Sequence, residues 1–277
     1  YDGLDELSNA CTTLLSDDTV EVYLKLYLLL YADDTIILSE TSADLQSALN
    51  AMHSYSSHWK LDVNVNKTKI MIFSKSKARN VPEFYFDNNK VEVVDSFSYL
   101  GVCFNFNAKF SKTKKLLCDQ ARKAMFSILK KSRLLYLDID LQMQLFDTMV
   151  APILMYGSEV WGFEDNSIIT KFQLHYIKLI LNFKKSSPNA MVFGELGVLP
   201  INNIVKLRVL NYWCKVINSK QDKICNVVYR LIFEMDKRNI YHSPWIKFVK
   251  ESLEQLGFAE YWINQSVLSP VHFQNIV

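Results

Sequence analysis

The residues best suited to chemistry are two adjacent aspartates, Asp33 and Asp34, set between the apolar runs Leu28-Leu29-Leu30 and Ile36-Ile37-Leu38. Two carboxylates that close repel one another and raise one pKa unless a cation compensates them. A divalent cation does so. Mg²⁺ takes carboxylate oxygens, together with phosphate oxygens of a substrate, in octahedral geometry. A pair of such ions can activate a hydroxyl nucleophile and stabilise a leaving oxyanion. The chain also contains Asp17-Asp18-Thr19-Val20, which parallels Asp33-Asp34-Thr35-Ile36. Context separates the two. Asp17 follows Ser16 in a polar stretch and reads as loop, whereas Asp33 is embedded on both sides and is assigned to the metal. Most Asp-Asp pairs are solvated turns, so the bare pattern leaves both readings open.

A second feature is the distribution of charge. Net charge is only +2, but Tyr1 to Glu40 holds nine acidic residues and one basic residue, while Lys109 to Arg133 holds nine basic residues and one acidic residue. A metal-binding part followed by a phosphate-binding part would look like this. A solvated helix face would too. The five cysteines are odd in number and lack C-x-x-C spacing, which argues against a disulfide framework or a zinc knuckle and for reduced, intracellular thiols. At 49% hydrophobic and 22% charged the chain can bury a core, and no apolar run reaches the ~20 residues of a spanning helix, so no membrane partner is expected.

The elements that must position these residues follow from periodicity. The runs flanking Asp33-Asp34 predict two strands around a tight turn. Thr41-Ser-Ala-Asp44 predicts a capped helix start, with Leu45, Leu49, Met52 and Trp59 as its buried stripe. Asp62 to Phe73 alternates and predicts a strand. Asp87-Asn-Asn-Lys90 between Phe84-Tyr-Phe86 and Val91 to Val94 predicts a hairpin, and Phe97 to Phe104 a strand pair bent at Gly101. From about Phe110 the pattern becomes helical. Leu117, Ala121, Ala124, Met125 and Ile128 form a core stripe, Asp138 to Asp140 caps a second helix, and Pro152 kinks or restarts it. Ser187-Pro188 and Ser243-Pro244 predict helix starts, Gly197 and Pro200 a stop, and Val205, Val209 and Val216 a further stripe.

Tyr31-Ala32-Asp33-Asp34 resembles the Y-A-D-D box of reverse transcriptases, particularly those of non-LTR (LINE-type) retrotransposons. Further stretches resemble that family in the same order. Leu45 to Trp59 matches the helix after the box. Trp59-Lys-Leu-Asp-Val-Asn64 and Asn66-Lys67-Thr68-Lys69 resemble the next motif, and Phe97-Ser-Tyr99-Leu100-Gly101 the F-x-Y-L-G primer grip. Ala151 to Gly162 resembles the end of the thumb, and Glu195 to Pro200 continues the likeness more weakly.

The resemblance implies an α+β fold: a partial polymerase palm, with an antiparallel sheet and a packed helix, over 1–104, a helical thumb over 105–163 and a helical extension over 164–277. It implies an RNA-directed DNA polymerase that adds deoxynucleoside triphosphates to a DNA primer on an RNA template, with Mg²⁺ or Mn²⁺ as cofactor, inside the cell and in the nucleus. Asp33 would be the principal metal ligand and Asp34 a secondary one. Lys67 or Lys69 would neutralise or protonate pyrophosphate. Phe97, Tyr99, Leu100 and Gly101 would hold the primer backbone. Lys112, Lys114, Lys115, Arg122, Lys123, Lys130 and Lys131 would track duplex phosphates without reading sequence. Tyr136, Trp161 and Trp213 could stack on bases, but their apolar periodic settings predict burial. The family places a third carboxylate upstream of its Y-A-D-D box, and nothing before Tyr31 looks like that motif. A missing upstream part, carrying fingers and the first half of the palm, is therefore an expected partner, and the chain alone is expected to be inactive. The competing reading is a non-catalytic nucleic-acid-binding remnant that uses the same basic helix.

Overall fold

The computed structural model describes residues 28–31, 33–76, 80–267 and 273. The fold is α+β and its chain groups into two compact units: 1–97 with 105–108 and 220–238, and 98–104 with 109–219 and 239–277. Among the described residues, no single helix is long and apolar enough to cross a membrane.

In the first unit, β1 (Leu28–Tyr31) and β2 (Asp34–Ile37) pair antiparallel. Helix α1 (Ser42–His58) starts at Thr41, whose hydroxyl accepts the Asp44 N–H at 3.1 Å, a cap that satisfies one orphan donor of the first turn. Strands β4 (Phe84–Phe86) and β5 (Asn89–Val93) form the expected hairpin, and Asp87 takes the left-handed conformation its turn needs, with φ of 54°. Strand β3 (Lys69–Ile70) joins the other side of β5 in parallel, giving the order β3-β5-β4. The alternation over 62–73 thus yields only two strand residues. Ahead of them Asn64 folds the chain into a turn, its carbonyl accepting the N–H groups of Lys67 and Thr68 at 3.1 and 3.0 Å. Leu49, Ile70, Phe84, Phe86 and Val91 form the core, with Ile37, Leu45 and Met52 packed against it. Trp59 does not extend the helix stripe; it caps α1 and is 53% exposed. Helix α9 (Ile224–Lys237) groups with this unit.

Strand β6 (Ser96–Tyr99) pairs with β7 (Val102–Asn105). The second unit is otherwise helical: α2 (Ser111–Leu134), α3 (Ile139–Leu145), α4 (Ala151–Leu154), α5 (Ser158–Trp161), α6 (Ser167–Ile180), α7 (Asn189–Leu196), α8 (Ile201–Ile217), α10 (Pro244–Gln255) and α11 (Ala259–Asn264). One core runs from Val102 through Leu117, Met125, Phe146 and Trp161 to Val205. Asp138 caps α3 as its position predicts, accepting the Leu141 N–H at 2.7 Å. Ahead of Pro152 the helix loosens into a π segment, Phe146–Val150, where the Ala151 N–H reaches back to the Phe146 carbonyl. Proline lacks the donor that would continue the α ladder, and a wider turn accommodates the loss. Pro188 and Pro200 sit at the N-caps of α7 and α8, whereas Pro244 lies just inside α10. Among the described residues, several helices end with a left-handed residue followed by a 6→1 backbone bond. Lys60, Tyr136, Asn182, Gly197 and Gly257 hold that position.

Candidate functional site

The β1–β2 hairpin presents the carboxylates. Register pairs Tyr31 with Asp34 and Leu28 with Ile37, so Asp33 lies in the turn and Asp34 begins the returning strand. Ile37 packs against the first unit's core and anchors the hairpin, while Tyr31, Asp33 and Asp34 are exposed. Among the described residues no cation engages either carboxylate, and no group of three or more His, Cys, Asp or Glu side chains could enclose a metal ion. Two adjacent exposed carboxylates are hard oxygen donors, and they fit a share of a Mg²⁺ ligand set rather than a complete cage.

Lys67 and Lys69 have different surroundings. Lys67 is exposed in the Asn64–Thr68 turn, where the Asn64 side-chain oxygen accepts its backbone N–H at 3.1 Å. Lys69 lies opposite Glu92 in the parallel β3–β5 pair, and its ammonium stands 2.7 Å from the Glu92 carboxylate. Beside this turn is an open polar depression lined by Asp62, Val63, Asn64, Val65, Asn66, Asn89 and Lys90. Neither aspartate of the hairpin lines it, and neither do Lys67 and Lys69.

Of the residues expected to form a primer grip, Phe97 and Leu100 are exposed and Tyr99 is half-buried. Leu100 and Gly101 form the β6–β7 turn with φ of 46° and 79°. The glycine meets the positive φ without a Cβ penalty; the leucine does not.

Helix α2 carries Lys112, Lys115, Arg122, Lys123, Lys130, Lys131 and Arg133 exposed. At 100° per residue Lys115, Arg122 and Arg133 fall on one line, and Lys112, Lys123 and Lys130 on the next. Phe126 and Leu116, also exposed, lie among them. Arg122 pairs with Asp119 at 2.8 Å. Lys114 is a correction to the sequence expectation. It is 3% exposed, its ammonium 2.8 Å from Glu164 and 5.8 Å above the Trp161 ring, so it belongs to the core and not to a phosphate-contacting face. The helical period should have shown this, since Lys114 shares its face with Leu117, Cys118 and Ala121. Burial also holds the Cys118 thiol up at about 11.

Trp161 and Trp213 are fully buried, as their settings predict. Tyr136 is not: it is 93% exposed at the left-handed position that ends α2, with φ of 52°. Sequence reasoning also missed Gln46. Its amide donates to the Tyr85 carbonyl at 2.7 Å and accepts the Tyr85 N–H at 2.9 Å, doing for the edge of β4 what a neighbouring strand would do.

Comparison with known proteins bears on this geometry. Residues 4–104 match the family model described as reverse transcriptase (RNA-dependent DNA polymerase). The RNA-directed DNA polymerase from mobile element jockey of Drosophila melanogaster is 23% identical over 160 residues, covering 54% of this chain and 17% of that protein. The probable RNA-directed DNA polymerase from transposon X-element of the same organism is 23% identical over 164 residues, 56% of this chain and 18% of its own length. A transposon-derived protein of Caenorhabditis elegans is 26% identical over 142 residues, 48% of each. The chain thus spans between about a sixth and a half of the length of these relatives. No solved structure matches.

Proposed function

We propose that this chain, which carries reverse transcriptase sequence of the non-LTR mobile-element type, serves an RNA-directed DNA polymerase as the second half of its palm (1–104), its thumb (105–163) and a helical extension (164–277). The reaction is transfer of a nucleotide from a deoxynucleoside triphosphate to a DNA 3′-hydroxyl on an RNA template.

The observation that carries this reading is the hairpin tip. Asp33 and Asp34 stand exposed on a strand pair anchored in the core, and among the described residues no cation pairs with either. In the bound state Asp33, with Asp34 as second carboxylate, would hold Mg²⁺ or Mn²⁺. The metal supplies charge for the attacking and leaving oxygens. Lys67, exposed on a turn braced by Asn64, is the better placed of the two lysines to meet a pyrophosphate, because Lys69 is already paired with Glu92. Phe97, Tyr99, Leu100 and Gly101 bear on the primer backbone. Helix α2 is 24 residues long, about 36 Å at 1.5 Å per residue. That is about one turn of B-form duplex, over which its basic lines can follow phosphates.

On this reading the chain supplies two of the family's three carboxylates, so alone it binds template–primer duplex without extending it. Affinity should fall with salt, log–log slope about −0.9 per phosphate contact on B-form duplex. Charge reversal of Lys115, Arg122 and Lys130 together should weaken binding and flatten the slope. Asp33→Asn should leave binding without Mg²⁺ unchanged. Indifference of duplex binding to the triple reversal would refute the thumb assignment. Primer extension by the chain alone, abolished by Asp33→Asn, would refute its incompleteness. Extension restored by adding the upstream part, and lost with Asp33→Asn, separates a polymerase from a binding remnant.

A further inference from the structure

The turn between β6 and β7 is held by a residue far along the chain. Leu100 adopts a φ of 46°, which L side chains rarely take, and its carbonyl accepts the Tyr156 hydroxyl at 2.9 Å across 56 residues of sequence. Gly101 lies directly against the same ring. A Cβ there would stand 2.8 Å from Tyr156 Cε1 and 3.3 Å from its Cζ and Oη. The next pair repeats the arrangement in reverse: a Cβ on Gly157, whose φ is 65°, would come within 2.9 Å of Val102 Cγ2. Residues 100–102 and 156–157 therefore interlock, each segment using a glycine where the other presents a side chain.

This clamp is itself tied to the core. The Trp161 indole donates to the Tyr156 carbonyl at 2.9 Å, and Trp161 is fully buried. On the far side of the turn the Thr113 hydroxyl of α2 donates to the Cys103 carbonyl. Tyr156 is 49% exposed, so its ring is a surface element beside the turn and not a core filler.

We propose that Tyr156, with Gly157 behind it, is a positioning residue for the primer grip. It holds the Leu100-Gly101 turn in a left-handed conformation the leucine would otherwise leave, and so fixes the height at which that backbone meets the primer end. The proposal rests on the reading of residues 97–101 as the grip. It assigns a task to the Tyr-Gly pair at 156–157 that its place in the thumb does not by itself supply.

The test uses the whole chain with two probes: an RNA–DNA duplex whose DNA primer end is recessed, and a blunt duplex of the same length. Wild type should prefer the recessed end. Tyr156→Phe, which keeps the ring and removes the hydroxyl, should lower that preference about fivefold, the weight of one net hydrogen bond. Blunt-duplex affinity, which rests on α2, should stay within about twofold, since the exposed α2 lysines that carry it are untouched. Amide exchange at residues 99–102 should rise by a similar factor. Gly101→Ala should lower the preference too, and adding Tyr156→Ala to it should cost less than the two single losses combined, because the ring that meets the new methyl is gone. Exchange at 99–102 unmoved by Tyr156→Phe would overturn the clamp whatever the grip does. Faster exchange with an unchanged primer-end preference would overturn the positioning role. A wild-type chain with no preference for the recessed end would overturn the grip reading itself, and the exchange result would show separately whether the clamp stands.

Discussion

Lys114→Met should destabilise the second unit by about 2–3 kcal/mol while leaving duplex affinity unchanged. The ammonium is 3% exposed, stands 2.8 Å from Glu164 and donates to the Asp165 carbonyl at 2.8 Å. Removing one partner of a buried pair costs about 3–5 kcal/mol, chiefly because the other charge is left uncompensated. The expected loss falls below that range because Glu164 is 21% exposed and keeps a second bond, from the Phe110 N–H at 3.2 Å. That bond serves the start of α2, whose N-cap residue Phe110 has no side-chain acceptor of its own. Glu164→Gln should cost at least as much as Lys114→Met, because it leaves the more deeply buried ammonium without its counter-charge and weakens that cap as well. The double variant should be less destabilised than the sum of the singles by about 1–2 kcal/mol, the range of coupled neighbours. Urea denaturation followed by tryptophan fluorescence reads this directly, since Trp161 lies beneath the ammonium. A Lys114→Met loss below about 0.5 kcal/mol, the level of a neutral surface change, would refute the buried-pair reasoning. A loss of duplex affinity equal to that of Lys115→Glu would return Lys114 to the phosphate-contacting set.

Other outcomes follow from single features. Tyr136→Gly should stabilise the protein by about 0.5–1 kcal/mol in the same assay, because glycine takes the left-handed position without strain and the lost side chain is almost fully exposed. Asp138→Ala should cost about 1 kcal/mol through the lost cap of α3. Gln46→Ala should cost about 1–2 kcal/mol and speed amide exchange at Tyr85, whose N–H loses its acceptor. The Cys118 thiol, held at about 11 by burial, lies above the ~8.5 of an unfolded cysteine. Its contribution to stability is complete below about pH 8.5 and declines as pH rises towards 11, so the urea midpoint should fall over that window, and Cys118 should resist alkylation at pH 8 until the chain unfolds.

The carboxylate hairpin, the β4–β5 turn and the stripes of α2 and α8 were legible because each is written in local pattern. Asp33-Asp34 interrupts apolar runs, Asp87 to Lys90 carries turn chemistry, and Val205, Val209 and Val216 keep helical period. What was not legible depends on partners distant in sequence. Lys114 reads as one more charge in a basic run until Glu164, 50 residues on, makes its burial tolerable. Tyr136 reads as a core aromatic until the end of α2 turns it outward. Gln46 has no pattern at all, because its partner is the backbone of Tyr85. The strand expected over 62–73 shortened for a local reason: Asn64 competes for the backbone bonds a strand would use.

The Gln46 amide also sets a limit on what the first unit's sheet can become. Strand β4 is the outer member of the order β3-β5-β4, and an outer strand with open N–H and C=O groups is a template for another chain. At Tyr85 both groups are already occupied by one side chain fixed on α1. A second copy seeking to add a strand there would have to displace the glutamine from both groups. The helix thus serves as a stopper against strand exchange between copies, and removing its single amide opens a route to association that overall stability would not reveal.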